Sequence, residues 1–263
     1  MRSPHDFLDS LFSLQGLNAV VLGGSGVLGG AIAETLAQAG ADTYIVGRDR
    51  KRGEERVAVI QKENGHAEFL TADITSTADL QSLADDLANR NRECHILVNA
   101  AGVNSATPFL EIEDDEWEKI FNVNLNGIRK ACQIFGNRML QKNMAGSIIN
   151  VASLSGITPL SKVFTYSASK AAVINLSQNL AREWAPHGIR VNSLSPGFFP
   201  AEQNRKILTE ERTTEIMSHT PMNRFGEPHE LAGAVLLLAS TNAGSFITGT
   251  NLVIDGGFMC RTI

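Results

Sequence analysis

The sequence predicts an α/β protein, a doubly wound parallel sheet of seven strands with helices on both faces. Three observations predict it. Short apolar runs alternate with helical patterns almost from end to end, the order that βαβ units impose. A glycine-rich turn joins the first run to the first helix. No linker or low-complexity tract interrupts the series, so 263 residues, 43% of them hydrophobic, read as one domain over 1–263. Right-handed crossovers then set helices on both faces of the sheet.

The elements follow in order. Leu17–Leu22 is a buried strand, and Leu28–Ala39 is a helix whose alanines permit close packing. Asp42–Val46 is the second strand and Lys51–Glu63 a charged helix. Glu68–Leu70, Thr77–Asn89 and Ile96–Asn99 read as strand, helix, strand. One long helix covers Asp115–Gln141, before a strand at Ser147–Val151 and a helix at Thr165–Trp184. Ile189–Leu194 is the sixth strand. Helical pieces at Gln203–Ser218 and Pro228–Ala239 precede a last strand at Leu252–Ile254. The segment about 196–220 breaks the alternation just after a strand end, where open α/β sheets bind ligands, and reads as a substrate lid.

Charge and cysteine usage narrow the function. A net charge of -5 argues against nucleic acid as the main partner. Cys94, Cys132 and Cys260 are too few and too scattered for a disulfide framework or a zinc site. The first 15 residues carry Asp6 and Asp9 and no long apolar run, unlike a secretory signal. No stretch reaches transmembrane length. The expectation is a soluble, cytoplasmic protein that binds a small molecule and no membrane. His187 and His219 lack partners at ligand spacing, so no metal is expected.

The turn reads Gly23-Gly24-Ser25-Gly26-Val27-Leu28-Gly29-Gly30, and Gly24, Gly26 and Gly29 satisfy G-x-G-x-x-G. Side chains must be missing there for backbone to approach a pyrophosphate at a helix N-terminus. The bland alternative is a tight turn with no ligand. The second strand ends Val46-Gly47-Arg48-Asp49. No carboxylate stands at Gly47 to bind ribose hydroxyls, whereas Arg48, with Arg50, Lys51 and Arg52 behind it, suits a 2′-phosphate. This favours NADP over NAD; Asp49 as a ribose ligand, or a merely solvated helix start, are the alternatives.

Tyr166-Ser-Ala-Ser-Lys170 places phenol and ammonium on one helix face. A free phenol titrates near 10, and a neighbouring ammonium favours the phenolate. A shift of about 3 units needs roughly 4 kcal/mol of differential interaction. A lone Y-x-x-x-K carries little weight. Here it stands with Ser153 after the fifth strand, Asn99-Ala100-Ala101-Gly102 after the fourth, Asn122-Val123-Asn124-Leu125, Pro196-Gly197 and Ile254-Asp255-Gly256-Gly257.

Together these motifs resemble the short-chain dehydrogenase/reductase family, from about Leu14 to Gly257, with the sugar-acid branch (gluconate 5-dehydrogenases and mannonate/fructuronate oxidoreductases) nearest in appearance. The resemblance implies a single Rossmann-type domain, NADP or NAD as cofactor, and a homotetramer. It implies Tyr166 as proton donor or acceptor, and Lys170 binding the nicotinamide ribose and lowering the tyrosine pKa. Ser153 would hold the substrate oxygen, and Asn124 would anchor a water between Lys170 and solvent. The implied cofactor site comprises Gly23, Ser25, Gly26, Val27, Leu28 and Gly29 of the turn and Arg48 after the second strand. Asp73, Ile74, Asn99, Ala100 and Ala101 follow, then Tyr166, Lys170, Pro196, Gly197 and Phe199. Asn99 and Asp73 are expected on the adenosine side.

The chain departs from the family pattern twice. Val27 stands where a glycine is usual, and Ala201 where a threonine often touches the nicotinamide amide. Gln203, Asn204 and Arg205 resemble a grip for hydroxyls and a carboxylate, with Asn104 and Ser105 adding polar contacts, although a solvated helix start fits them too. Arg224, in Asn223-Arg224-Phe225-Gly226, reads as structural. The leading expectation is an oxidoreductase moving a hydride between NAD(P) and a sugar acid or polyol. A 3-oxoacyl-carrier-protein reductase-like enzyme is the alternative within enzymes. A non-catalytic cofactor sensor is the alternative outside them, which the intact Ser153, Tyr166, Lys170 and Asn124 set opposes.

Overall fold

The computed structural model describes residues 3–199 and 209–260. After an N-terminal helix α1 (Pro4–Phe12), strand β1 (Asn18–Leu22), helix α2 (Val27–Gln38), β2 (Asp42–Gly47), α3 (Arg50–Lys62), β3 (Ala67–Thr71), α4 (Thr77–Asn89) and β4 (Ile96–Asn99) alternate. Helices α5 (Asp114–Phe121) and α6 (Gly127–Gln141) lead to β5 (Gly146–Val151), α7 (Phe164–Trp184) and β6 (Ile189–Pro196). Helices α8 (Glu210–His219) and α9 (Ala232–Ala239) precede β7 (Asn251–Ile254). The seven strands form one sheet in the order β3-β2-β1-β4-β5-β6-β7, parallel throughout. The order reverses between β1 and β4, so the connections there diverge and leave a crevice at the strands' carboxyl ends.

Side-chain alternation along the strands divides the core in two. Val20, Leu22, Leu97 and Ile148 face α4, α6 and α7, where Leu80, Ile128, Phe135 and Trp184 cover them. Ala19, Val21, Ile45 and Ile149 face the other side, against Ile32 and Leu36 of α2 and Val235 and Leu238 of α9. Strands buried on both faces have no polar side to show, which is why they read as continuous apolar runs.

The structure differs from the sequence reading in three places. The sequence reading assigned no helix to the first 15 residues. Yet Ser3 and Asp6 form a reciprocal capping box that starts α1, and its end is held by Asn242, whose amide donates to Ser10 O at 2.7 Å. The long helix expected over Asp115–Gln141 is interrupted by a π-turn at Asn122–Asn126. The piece expected at Pro228–Ala239 opens with a 3-10 turn at Pro228–Leu231. Of the helix expected at Gln203–Ser218, residues 203–208 lie outside the described residues.

A buried polar chain fixes α7 against the sheet. Asn99 Nδ2 donates to Asn150 Oδ1 at 2.7 Å, and Asn150 Nδ2 donates to Ser177 Oγ at 2.9 Å. All three side chains are buried. Helix α7 also carries Tyr166 and Lys170, so this chain sets their register over β5. Replacing Asn150 with Ala leaves the Asn99 amide with only Cys132 Sγ, at 3.6 Å, while Ser177 Oγ keeps its bond to Val173 O at 2.7 Å. We expect Asn150→Ala to lose about 1–3 kcal/mol in urea unfolding followed by circular dichroism; no shift in midpoint would show that the chain does not hold the helix.

Candidate active site

The glycine turn brings backbone to backbone. Gly23 has φ +85°, and a Cβ there would lie 2.5 Å from Ala101 N; one at Gly29 would lie 2.3 Å from Gly23 O. The ends of β1 and β4 and the start of α2 therefore close on one another only because those side chains are missing. Gly26 is the N-cap of α2; it supplies no side-chain cap, and the first turn holds no acid. Among the described residues, the first N–H groups of α2 thus have neither a side-chain cap nor a first-turn acid, a site suited to a phosphate. Val27, where the family pattern has glycine, begins α2 and lines the crevice without closing it.

The expected cofactor residues gather along this crevice. Ser25, Gly26, Val27, Leu28 and Gly29 line it with Arg48, Asp73 and Ile74. Ala100, Ala101, Ser153, Tyr166 and Lys170 continue the wall to Pro196, Gly197 and Phe199. Asn99 does not join them. Strand alternation turns its amide into the core, where it bonds Asn150, so it supports the crevice from behind. Arg52, expected behind Arg48, lines the crevice too; Thr75, which also lines it, was not among the expected contacts.

At the outer end, Arg48 is exposed and meets Asp73 at 3.7 Å. Asp73 Oδ1 accepts from Thr75 N at 2.8 Å and Thr75 Oγ1 at 2.7 Å. Those bonds, with a smaller contribution from Arg48, hold its carboxyl below the usual range. Asp49 accepts from Arg52 N at 3.1 Å as the N-cap of α3, which engages the alternative ribose ligand in helix capping. Arg50 turns away, to Glu54 and over the Phe69 ring.

At the inner end, Lys170 Nζ lies 5.6 Å from the centroid of the Tyr166 ring. The lysine is buried and donates to Val151 O at 2.7 Å. Burial lowers its pKa to about 8. Burial also pushes the Tyr166 phenol up, and a hydrogen bond with Ser153 opposes the shift without overcoming it. The sequence reading expected the ammonium to lower the phenol. In the protein alone, desolvation of the phenolate is the largest effect, and the shift runs upward. Ser153 Oγ accepts from Ser155 N at 3.2 Å and Ser155 Oγ at 3.1 Å. With its lone pairs so engaged, its own proton is free to point to the phenol or to a ligand. Ser155 carries no motif of its own and was missed.

Asn124 is fully buried in the π-turn. Its Oδ1 accepts from Val103 N at 2.8 Å, and its Nδ2 donates to Val103 O at 2.9 Å and Ser169 Oγ at 3.1 Å. It ties the segment after β4 to α7. A Cβ at Gly102 would lie 3.3 Å from Asn124 Oδ1 and 3.5 Å from Lys170 Nζ, so glycine leaves an opening between the two.

A pocket opens beside the crevice. Ser153 and Tyr166 line both, and the pocket continues past Asn104, Leu160 and Phe198 to Arg212. Ser105 does not reach it; Glu116 draws its hydroxyl away at 2.7 Å. Ala201, Gln203, Asn204 and Arg205 lie outside the described residues. Arg224 is structural, as expected, paired with Glu230 at 2.6 Å and 2.7 Å. Cys94 and Cys132 are buried thiols and Cys260 is exposed. Among the described residues, no helix is long and apolar enough to cross a membrane.

A family model described as enoyl-(acyl carrier protein) reductase matches residues 25–259. The chain is 38% identical to galactitol 2-dehydrogenase of Rhizobium johnstonii, over 95% of this chain and 97% of that one. It is 31% identical to gluconate 5-dehydrogenase of Gluconobacter oxydans, over 94% and 96%. A crystal structure of gluconate 5-dehydrogenase from Burkholderia cenocepacia, in complex with NADP and tartrate, superimposes with a TM-score of 0.92 at 30% identity, covering 97% of this chain and 100% of that one. The chain belongs to the short-chain dehydrogenase/reductase family and is an NAD(P)-dependent oxidoreductase acting on CH–OH groups.

Proposed function

We propose that this short-chain dehydrogenase/reductase interconverts a secondary alcohol and a ketone on a sugar acid or polyol, with NADP preferred over NAD. The observation that carries this reading is the convergence of Ser153, Tyr166 and Lys170 where the crevice meets the pocket. A bound dinucleotide supplies hydride transfer to or from the carbinol carbon. The glycine turn and the first N–H groups of α2 hold its pyrophosphate. Asp73, Ile74, Ala100 and Ala101 flank the adenosine half. Lys170, Pro196, Gly197 and Phe199 flank the nicotinamide half, and Asn99 stiffens the wall from behind. Arg48 holds the 2′-phosphate: its pairing with Asp73 is long and exposed, hence weak and easily exchanged.

In our reading Ser153 donates a hydrogen bond to the substrate oxygen. Tyr166 takes the hydroxyl proton of an alcohol, or returns it to a carbonyl oxygen, as general base or acid. Lys170, whose pKa of about 8 already lies near neutrality, passes that proton toward solvent through the opening at Gly102, beside Asn124. The relatives' names, galactitol 2-dehydrogenase and gluconate 5-dehydrogenase, support a polyhydroxylated substrate. So does a pocket that mixes Asn104 and the serines with Leu160 and Phe198.

We assign the lid to about 196–220, of which residues 200–208 lie outside the described residues; Phe198, Phe199 and Arg212 on the pocket wall support it. The chain as a whole, 1–263, then works as one dinucleotide-binding domain. A homotetramer in the cytoplasm completes the proposal. The exposed apolar side chains Phe109, Leu110, Trp117 and Phe164 support assembly.

Tyr166→Phe should lower kcat by about 10²–10⁴-fold while leaving dinucleotide affinity nearly intact in a fluorescence titration. Near-normal turnover would end the mechanism. Arg48→Gln should weaken NADP by about ten- to a hundredfold, as loss of a charge-assisted contact does, and spare NAD. Equal losses for the two dinucleotides would refute the preference.

A further inference from the structure

We infer that Arg212 is the specificity residue that reads a carboxylate on the substrate, at the end of the pocket away from the reacting carbon. The inference rests on the proposed function and deepens it, because it separates sugar acids from neutral polyols.

Three adjoining spaces give the order. The crevice and the substrate pocket share Ser153, Tyr166 and Gly197. The substrate pocket and an outer cavity share Leu160, Phe198 and Arg212. Tyr166 therefore stands at one junction and Arg212 at the other. A substrate with its carbinol at Tyr166 extends toward the guanidinium.

Arg212 is the only charged side chain among the described residues lining the pocket. Its tethers are weak: Nη1 donates to Ser161 Oγ at 3.3 Å and Nη2 to Ser161 O at 3.2 Å. A guanidinium has five N–H donors, so most remain for a ligand. No carboxylate pairs with it among the described residues, in contrast to Arg90, Arg138 and Arg224. The side chain is half-buried and shares the pocket wall with Leu160 and Phe198, where a charge pair is screened less than at an open surface. Its backbone is fixed as well, since Arg212 N donates to the N-cap Thr209 Oγ1 at 3.2 Å.

Glu215, one turn further along α8, lines the outer cavity and not the pocket. A carboxylate beyond Arg212 meets that like charge, so the favoured anion position is inside the pocket. Ser161, on the outer-cavity side, takes one N–H from each Nη; the Nε–Nη edge keeps two parallel N–H groups, which match a carboxylate.

The test compares an aldonate with the polyol of the same carbon number, using the full chain and NADP, in the wild type, Arg212→Gln and Arg212→Lys. Arg212→Gln should lower the ratio of kcat/KM for the aldonate to kcat/KM for the polyol by about ten- to a hundredfold. The polyol serves as the control for folding. Arg212→Lys should recover only part of the loss, because an ammonium keeps the charge without the fork. Equal losses for acid and polyol, or no loss for either, overturn the assignment while wild-type turnover keeps the dehydrogenase reading. Failure of the wild type to turn over any sugar acid or polyol overturns that reading and this inference with it.

Discussion

The burial of one ammonium beside one phenol governs this molecule. Among the described residues, Lys170 has a single hydrogen bond, to Val151 O, and no carboxylate answers its charge. Burial lowers its pKa from 10.5 to about 8, which at neutral pH means a penalty of about 3 kcal/mol on the charged form. The unfolded chain binds the proton more tightly. Stability therefore rises with pH between the two values and is lower by that amount below them. A fold accepts such a cost where the group works. A ribose hydroxyl and a reacting phenol beside the ammonium would offset what water no longer provides.

Everything around the pair serves to place it. The crevice exists because strand order reverses between β1 and β4. Its floor closes because Gly23 and Gly29 have no Cβ to keep backbone apart. The register of α7 over β5 is set by amide and hydroxyl bonds among Asn99, Asn150 and Ser177. The π-turn inserts one residue into an otherwise straight helix, a local cost that π-bulges incur mostly at functional sites. Here it brings Asn124 inward, against the Val103 backbone and Ser169. Ser155 then fixes the acceptor side of Ser153. Packing, backbone and hydrogen bonds thus converge on the proposed proton-transfer site, and Arg212 is the one charged side chain among the described residues lining the pocket.

Much of this was legible in the sequence because the signals were local. Parallel strands buried on both faces show as apolar runs, and a glycine turn between strand and helix shows as spacing. Tyr166 and Lys170, four apart on a helix, must share a face. What was missed depends on distance along the chain or on competing terms. The outward or inward turn of Asn99 is decided by sheet pleat, and Asn150, 51 residues away, is its partner. Ser105 is drawn off by Glu116 on the next helix. The direction of the phenol's shift depended on whether desolvation or attraction was larger, and spacing carries no dielectric. The interruption of the long helix had a faint signal in the asparagines at 122, 124 and 126, which are poor helix formers. Arg212 lay in a charged helix start indistinguishable from a solvated one.

The account makes the pKa of Tyr166 conditional: high in the protein alone, and low only beside an oxidised, positively charged nicotinamide. The chain has two tyrosines, so Tyr44→Phe leaves Tyr166 as the sole phenol. The most direct measurement is a near-ultraviolet difference titration of that variant, with and without oxidised NADP. The account predicts ionisation above the ordinary tyrosine range in the free protein, moving down toward neutrality in the complex. A curve that does not move on binding, or a free protein that already ionises near neutral pH, would contradict it.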